Sequence, residues 1–145
     1  MDNIKNGWLS VYKPCNITSS KTVLKIKKKF NLHKVGHAGT LDPKAEGVLP
    51  IAFGNATKIS SFVTSKKKKY SFIIKWGEQT TTDDTEGDVI FRSQRLPNLN
   101  QINKSIKKYI GQIDQIPPMY SSIKINGIRA YKMSRQNIKF KLVPR

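Results

Sequence analysis

The chain has 145 residues and a formal charge of +18, from 27 Lys and Arg against 9 Asp and Glu. Leu, Ile, Val and Phe total 38 residues, about 26%, above the roughly 20% below which a charged chain stays disordered, so the charge sits on a chain able to build a core. No apolar run reaches the ~18 residues of a membrane span, the opening MDNIKNGWLS has neither a basic nor an apolar leader stretch, and the single Cys15 excludes an internal disulfide or a cysteine metal site, so the expectation is a soluble cytoplasmic protein.

In chain order, Trp8 to Tyr12 predicts a short strand stopped by Lys13-Pro14, because proline donates nothing to a ladder. A helix is predicted over 20–30. Ser19 or Ser20 caps it, Val23, Ile26 and Phe30 recur at helical spacing, and Lys25 and Lys27 to Lys29 face out. Residues 34–47 follow no period and read as a structured loop. Val48 to Phe53 predicts an apolar strand, and Ala56, Ile59, Phe62 and Val63 a short helix. The alternation of Tyr70, Phe72, Ile74 and Trp76 predicts a strand.

Residues 78–88 are acidic and turn-rich, followed by a strand at Val89 to Phe91. Pro97-Asn98 opens a helix on Leu99, Ile102, Ile106 and Ile110, closed by Gly111. Short strands are expected at Ile113 to Ile116 and Ile138 to Leu142, a type I′ hairpin about Asn126-Gly127, and a basic helical turn from Tyr131 to Arg135. The fold class is α+β, with flanking helices on one mixed, mainly antiparallel sheet.

The charge is unevenly placed: +12 over residues 1–77, five acids and no base over 78–88, and +11 over 89–145. Lys, Ile and Asn make up 49 residues, a bias that A/T-rich coding also produces, so placement says more than size. A carboxylate at Asp42 within a basic half suits an anionic substrate, nucleic acid above all. Residues 36–58, GHAGTLDPKAEGVLPIAFGNATK, are the most informative stretch. Asp42 precedes Pro43, which biases it to an extended conformation and projects it from the turn, although Asp-Pro is also a common turn or cap. With only His33, His37 and Cys15 beside the acids, no metal-ligand spacing occurs, nor any P-loop, dinucleotide fingerprint or serine elbow. Chemistry without metal or cofactor is what remains.

The run Gly36 to Pro43, GHAGTLDP, resembles the catalytic motif of the TruB family of tRNA pseudouridine synthases, and further matches follow in family order. WLSVYKP with Ser19-Ser20 is similar to the family's first motif, Lys69-Tyr70-Ser71-Phe72 to its K-x-Y strand, and Thr80, Thr82, Asp84 and Gly87 to its acidic turn. Gln115 to Ser122 with Lys124, Gly127, Arg129, Ala130 and Tyr131 resembles the bacterial form of a later motif. The resemblance implies isomerisation of uridine to pseudouridine in the TΨC loop of tRNA (uridine 55), with no cofactor, no metal and no membrane. It makes Asp42 the nucleophile and Tyr70 the catalytic tyrosine stacked on the target base. His37 then fills the space left by a flipped base, Lys13 and the lysines at 66–69, Lys69 among them, hold phosphates, and Gly39 and Thr40 complete the substrate-binding loop.

Some positions depart from the pattern. Asn16 and Asn137 stand where the family has Gly; Asn tolerates the left-handed backbone best among the other residues. Lys44 and Glu46 replace Leu and Thr, and Glu46 brings a second carboxylate toward Asp42, offset by Lys44. The resemblance also implies a longer protein. Residues 1–145 then form the N-terminal part of the catalytic domain, with the C-terminal part and an RNA-binding domain absent. None of the five arginines (Arg92, Arg95, Arg129, Arg135, Arg145) lies in the K-G-T-Y-I-R type context that supplies the family's aspartate-pairing arginine. The expectation is that the isolated chain is inactive or nearly so. The alternative is a truncated, non-catalytic basic RNA-binding remnant.

Overall fold

The computed structural model describes residues 6–144, and the chain divides into two compact units between Ser71 and Phe72. The first unit is built on a three-stranded antiparallel sheet, in the order β1-β3-β2, from β1 (Gly7–Lys13), β2 (Val35–His37) and β3 (Gly47–Phe53). Period-two alternation turns Leu9 and Val11 of β1 inward and leaves Trp8, Ser10 and Tyr12 outward. Leu49 and Ile51 of β3 are fully buried, and with Val23 they form the core on which Leu9, Val11, Ile26, Val35 and Leu41 pack. Ile51 has no exposed surface, so Ile51→Ala is expected to destabilise this unit by about 2–5 kcal/mol, read as a lower urea midpoint, because a central strand cannot collapse onto the void.

Helix α1 (Ser19–Lys29) lays Val23 and Ile26 on this core. Its cap is Thr18, whose hydroxyl accepts from the Lys21 amide at 3.1 Å, and not Ser19 or Ser20 as expected. Thr18 wins because its backbone is still extended (ψ 152°), whereas Ser19 has already entered the helix and its hydroxyl is used elsewhere. The expected loop at 34–47 begins as a strand. Three residues are too few to show a period, and the ladder with β3 orders them. After β3 a 3₁₀ stretch (Gly54–Ile59) leads into α2 (Ser60–Thr64), as the apolar spacing anticipates.

The second unit holds two small hairpins and two helices. β4 (Glu78–Thr80) pairs antiparallel with β5 (Val89–Arg92), and the acidic segment between them is knitted to itself. Thr82 Oγ1 donates to Asp84 Oδ1 at 2.6 Å, the Glu86 amide donates to the same oxygen at 2.8 Å, and Thr80 Oγ1 donates to the Asp84 carbonyl at 2.6 Å. Gly87 closes the turn because a Cβ there would stand 2.7 Å from the Thr82 backbone nitrogen. Helix α3 (Leu99–Ile106) starts in a full capping box between Asn98 and Gln101, and continues as a 3₁₀ turn over Lys107–Tyr109. β6 (Lys124–Ile125) and β7 (Ile128–Arg129) flank Asn126 and Gly127, at φ 49° and 83°, the two positive values a type I′ turn needs. Helix α4 (Ala130–Arg135) follows.

The architecture is α+β with small antiparallel sheets, and three expected strands are missing from it. Residues 70–76, 113–116 and 138–142 pair with nothing among the described residues. Alternation marks a segment able to bury one face, but a strand also needs a ladder partner, and Tyr70, Phe72, Ile74 and Trp76 are all exposed.

Candidate active site

The segment from Ala38 to Glu46 joins β2 to β3 and carries Asp42 at an exposed position. It has little regular structure, yet it is held on both sides of that carboxylate. On one side the Leu41 side chain packs on the core, and the Ser19 hydroxyl both donates to the Leu41 carbonyl (2.9 Å) and accepts from the Leu41 amide (3.0 Å). On the other side the Pro43 carbonyl accepts from the Asn16 amide at 2.7 Å, and the Asp42 carbonyl accepts from Ala45 at 3.1 Å. Asn16 makes its contact from φ 64°, the left-handed backbone its replacement of Gly requires; Asn137, at φ 53°, does likewise in the second unit.

Lys13 is placed differently from expectation. It is fully buried, and its ammonium donates to the carbonyls of Pro14 (3.0 Å), Ile17 (2.8 Å) and Pro43 (3.4 Å). It ties the β1–α1 turn to the Asp42 loop and offers no surface to a phosphate. The sequence carried a signal for this, since Lys13 has the same parity as the inward-facing Leu9 and Val11 on β1.

Beside the loop lies a cleft of about 740 Å³, walled by Ala38 to Leu41, Lys44 to Pro50, Val63 and Lys66 to Ser71. It brings together Gly39, Thr40, Lys69 and Tyr70 among the residues expected at the site, and neither Asp42, His37 nor Lys13 contributes to its walls. Lys66 to Lys69 are exposed, giving the cleft a basic side; Lys68 also donates to the Thr64 carbonyl at 2.5 Å, capping α2. Tyr70 is exposed at the cleft's edge. Gly39 has φ +111°, a conformation that strains any other residue, and its carbonyl accepts from His37 Nδ1. A carbonyl only accepts, so His37 carries its proton on Nδ1 and keeps Nε2 for another partner.

The two unusual charges beside Asp42 are engaged elsewhere. Lys44 Nζ donates to Asn16 Oδ1 at 3.0 Å. Glu46 acts on the Tyr12 hydroxyl, and chiefly by offering its proton a hydrogen-bond acceptor, with slight burial and the Glu46 charge adding to it, holds the phenol above its ordinary range. Among the described residues no group of three or more His, Cys, Asp and Glu is placed to hold a metal, and no helix is long and apolar enough to cross a membrane.

A family model described as TruB family pseudouridylate synthase (N terminal domain) matches residues 27–145, most of the chain. The chain belongs to the TruB family. Proteins named tRNA pseudouridine synthase B are similar to nearly all of it: the one from Wolbachia pipientis subsp. Culex pipiens is 51% identical over 97% of this chain and 40% of its own length. That of Ehrlichia ruminantium is 47% identical over 96% of this chain and 47% of its own, and that of Caulobacter sp. 46% identical over 97% and 45%. This TruB family chain thus spans about half the length of such relatives. Among solved structures, that of a Cbf5-Nop10-Gar1 complex is similar over 84% of this chain and 32% of the matched chain, at 32% identity and a TM-score of 0.54.

Proposed function

We propose that this chain is the N-terminal part of the catalytic domain of a tRNA pseudouridine synthase, which isomerises uridine to pseudouridine in the TΨC loop, at uridine 55, without metal or cofactor. The reaction breaks the bond from uracil N1 to the ribose and re-forms it at C5, so one proton leaves C5, one is returned to N1, and no redox step is needed. Asp42 is the nucleophile that divides the reaction into easier steps. The observation that carries this is the bracing of the Asp42 loop: a solvent-accessible carboxylate with both backbone neighbours tied down, beside a basic cleft.

Tyr70, on the edge of that cleft, offers a ring to stack on the uracil and a hydroxyl to relay the C5 proton. The target base must first leave its stack at a cost of a few kcal/mol, and His37, with Nε2 available, occupies the vacated space. Gly39 and Thr40 line the approach. Lys69 with Lys66 and Lys67 holds backbone phosphates, which gives affinity without sequence information. The names of the relatives and the charge of +18 support tRNA as the partner and the cytoplasm as the location.

The test is to incubate unmodified tRNA with this chain, and with a chimera joining it to the C-terminal part of the Wolbachia relative, and to map pseudouridine. The chimera is expected to modify the TΨC loop and the isolated chain to do so weakly or not at all. If the chimera folds and binds tRNA but modifies nothing, the chain is instead a non-catalytic RNA-binding remnant. Binding is expected to fall with salt at about 0.7–0.9 logarithmic units per neutralised phosphate, and Lys66, Lys67 and Lys69→Ala together are expected to flatten that slope by about 2–3 units.

A further inference from the structure

The Ser19 hydroxyl is nine-tenths or more buried, with 2% of the residue exposed, and it has no part in capping its own helix, because Thr18 performs that task. Both of its hydrogen-bonding functions go to one residue, Leu41, whose amide and carbonyl it meets at 3.0 and 2.9 Å across 22 positions of sequence. A hydroxyl that donates and accepts at one peptide residue imitates a strand partner, and here it does so for a segment that has none. Leu41 immediately precedes Asp42. On the far side, Pro43 is held by Asn16 and Lys13. Asp42 therefore has its direction set from both flanks, and among the described residues no side chain is hydrogen-bonded to its carboxyl group.

We infer that Ser19 is a positioning residue: its hydroxyl fixes the backbone of Leu41 and so aims the Asp42 carboxylate, anchoring the reactive loop to the first turn of α1. The inference rests on the proposed role of Asp42, but the clamp is measurable apart from it. Aim matters because a reacting group displaced by about 1 Å loses on the order of a hundredfold in rate. The free carboxylate stays available because Ser19 acts on the neighbouring peptide and not on the acid itself.

The experiment compares Ser19→Ala and Ser19→Thr in the 145-residue chain by amide hydrogen exchange and {¹H}-¹⁵N NOE, and in the chimera by turnover. In Ser19→Ala the Leu41 amide is expected to exchange about tenfold faster or more, as the loss of two net hydrogen bonds implies, and the NOE at Leu41 and Asp42 to fall, while the α1 amides of Val23 and Ile26 keep their protection. Ser19→Thr, which retains the hydroxyl, is expected to restore Leu41. Turnover by the chimera is expected to fall about tenfold to a hundredfold in kcat with KM little changed. Unchanged exchange at Leu41 in Ser19→Ala overturns the clamp. General loss of protection in Ser19→Ala that Thr does not rescue also overturns it, since Ser19 then serves packing alone. A lost clamp with full turnover overturns the positioning role. If Asp42→Ala is fully active while the Leu41 exchange behaves as expected, it is the proposed role of Asp42 that fails, and the clamp stands.

Discussion

Replacing Lys13 with methionine is expected to destabilise the first unit by about 3 kcal/mol or more, although the two side chains have similar length and both are accommodated in apolar surroundings. The ammonium of Lys13 satisfies three carbonyls, those of Pro14, Ile17 and Pro43, from a position with no solvent exposure. Hydrogen bonds to a charged donor contribute about 1.5–3 kcal/mol each, and acceptors left unmade in the interior cost more than the same acceptors in water. Part of the loss is recovered because the Pro43 carbonyl retains the Asn16 amide at 2.7 Å. Urea unfolding followed by Trp8 fluorescence, in a Trp76→Phe background, measures the effect. A loss below about 0.5 kcal/mol would mean that water replaces the ammonium and that the loop does not depend on it. The same substitution is expected to leave the salt slope of tRNA binding unchanged, because a buried ammonium neutralises no phosphate.

The second large effect is on chemistry. Asp42→Ala in the chimera is expected to reduce kcat about a thousandfold or more while tRNA affinity changes less than threefold, since the proposed nucleophile is lost and the proposed phosphate contacts are kept. Asp42 is exposed and, among the described residues, its carboxyl group is in no network, so its removal leaves no buried partner there and is expected to shift unfolding by less than about 0.5 kcal/mol. Asp42→Asn separates charge from shape: an amide of the same size cannot attack, and the same loss in kcat is expected.

Much of the scaffold was legible because its signals are local. The helix opened by Pro97-Asn98, the Asn126-Gly127 turn and the strand from Trp8 to Tyr12 are each decided within a few residues. Asn16 and Asn137 were legible as left-handed positions only through the resemblance, because the family has Gly there. What was not legible depends on partners distant in sequence. Val35–His37 is a strand only because β3 lies beside it, and 70–76, with a stronger strand pattern, is not one because no ladder meets it among the described residues. The loop residues were recognisable as a motif, but their bracing was not. Ser19 and Leu41 lie 22 positions apart, Lys13 and Pro43 lie 30 apart, and nothing in either segment announces the other. For Lys13, parity with Leu9 and Val11 was the one available sign, outweighed by the usual exposure of lysine. Glu46 beside Asp42 suggested a pair of interacting carboxylates, whereas the sheet register sets Tyr12 opposite Val48, and it is the Tyr12 phenol that Glu46 acts on.

The most direct measurement uses tRNA carrying tritium at C5 of its uridines and the chimera containing residues 1–145. Isomerisation must release the C5 hydrogen to water, one for each pseudouridine formed. Tritium release equal to the pseudouridine mapped in the TΨC loop, and lost with Asp42→Ala while tRNA still binds, is the result expected. Release of equal extent from wild type and Asp42→Ala would contradict the assignment of the chemistry to the braced loop.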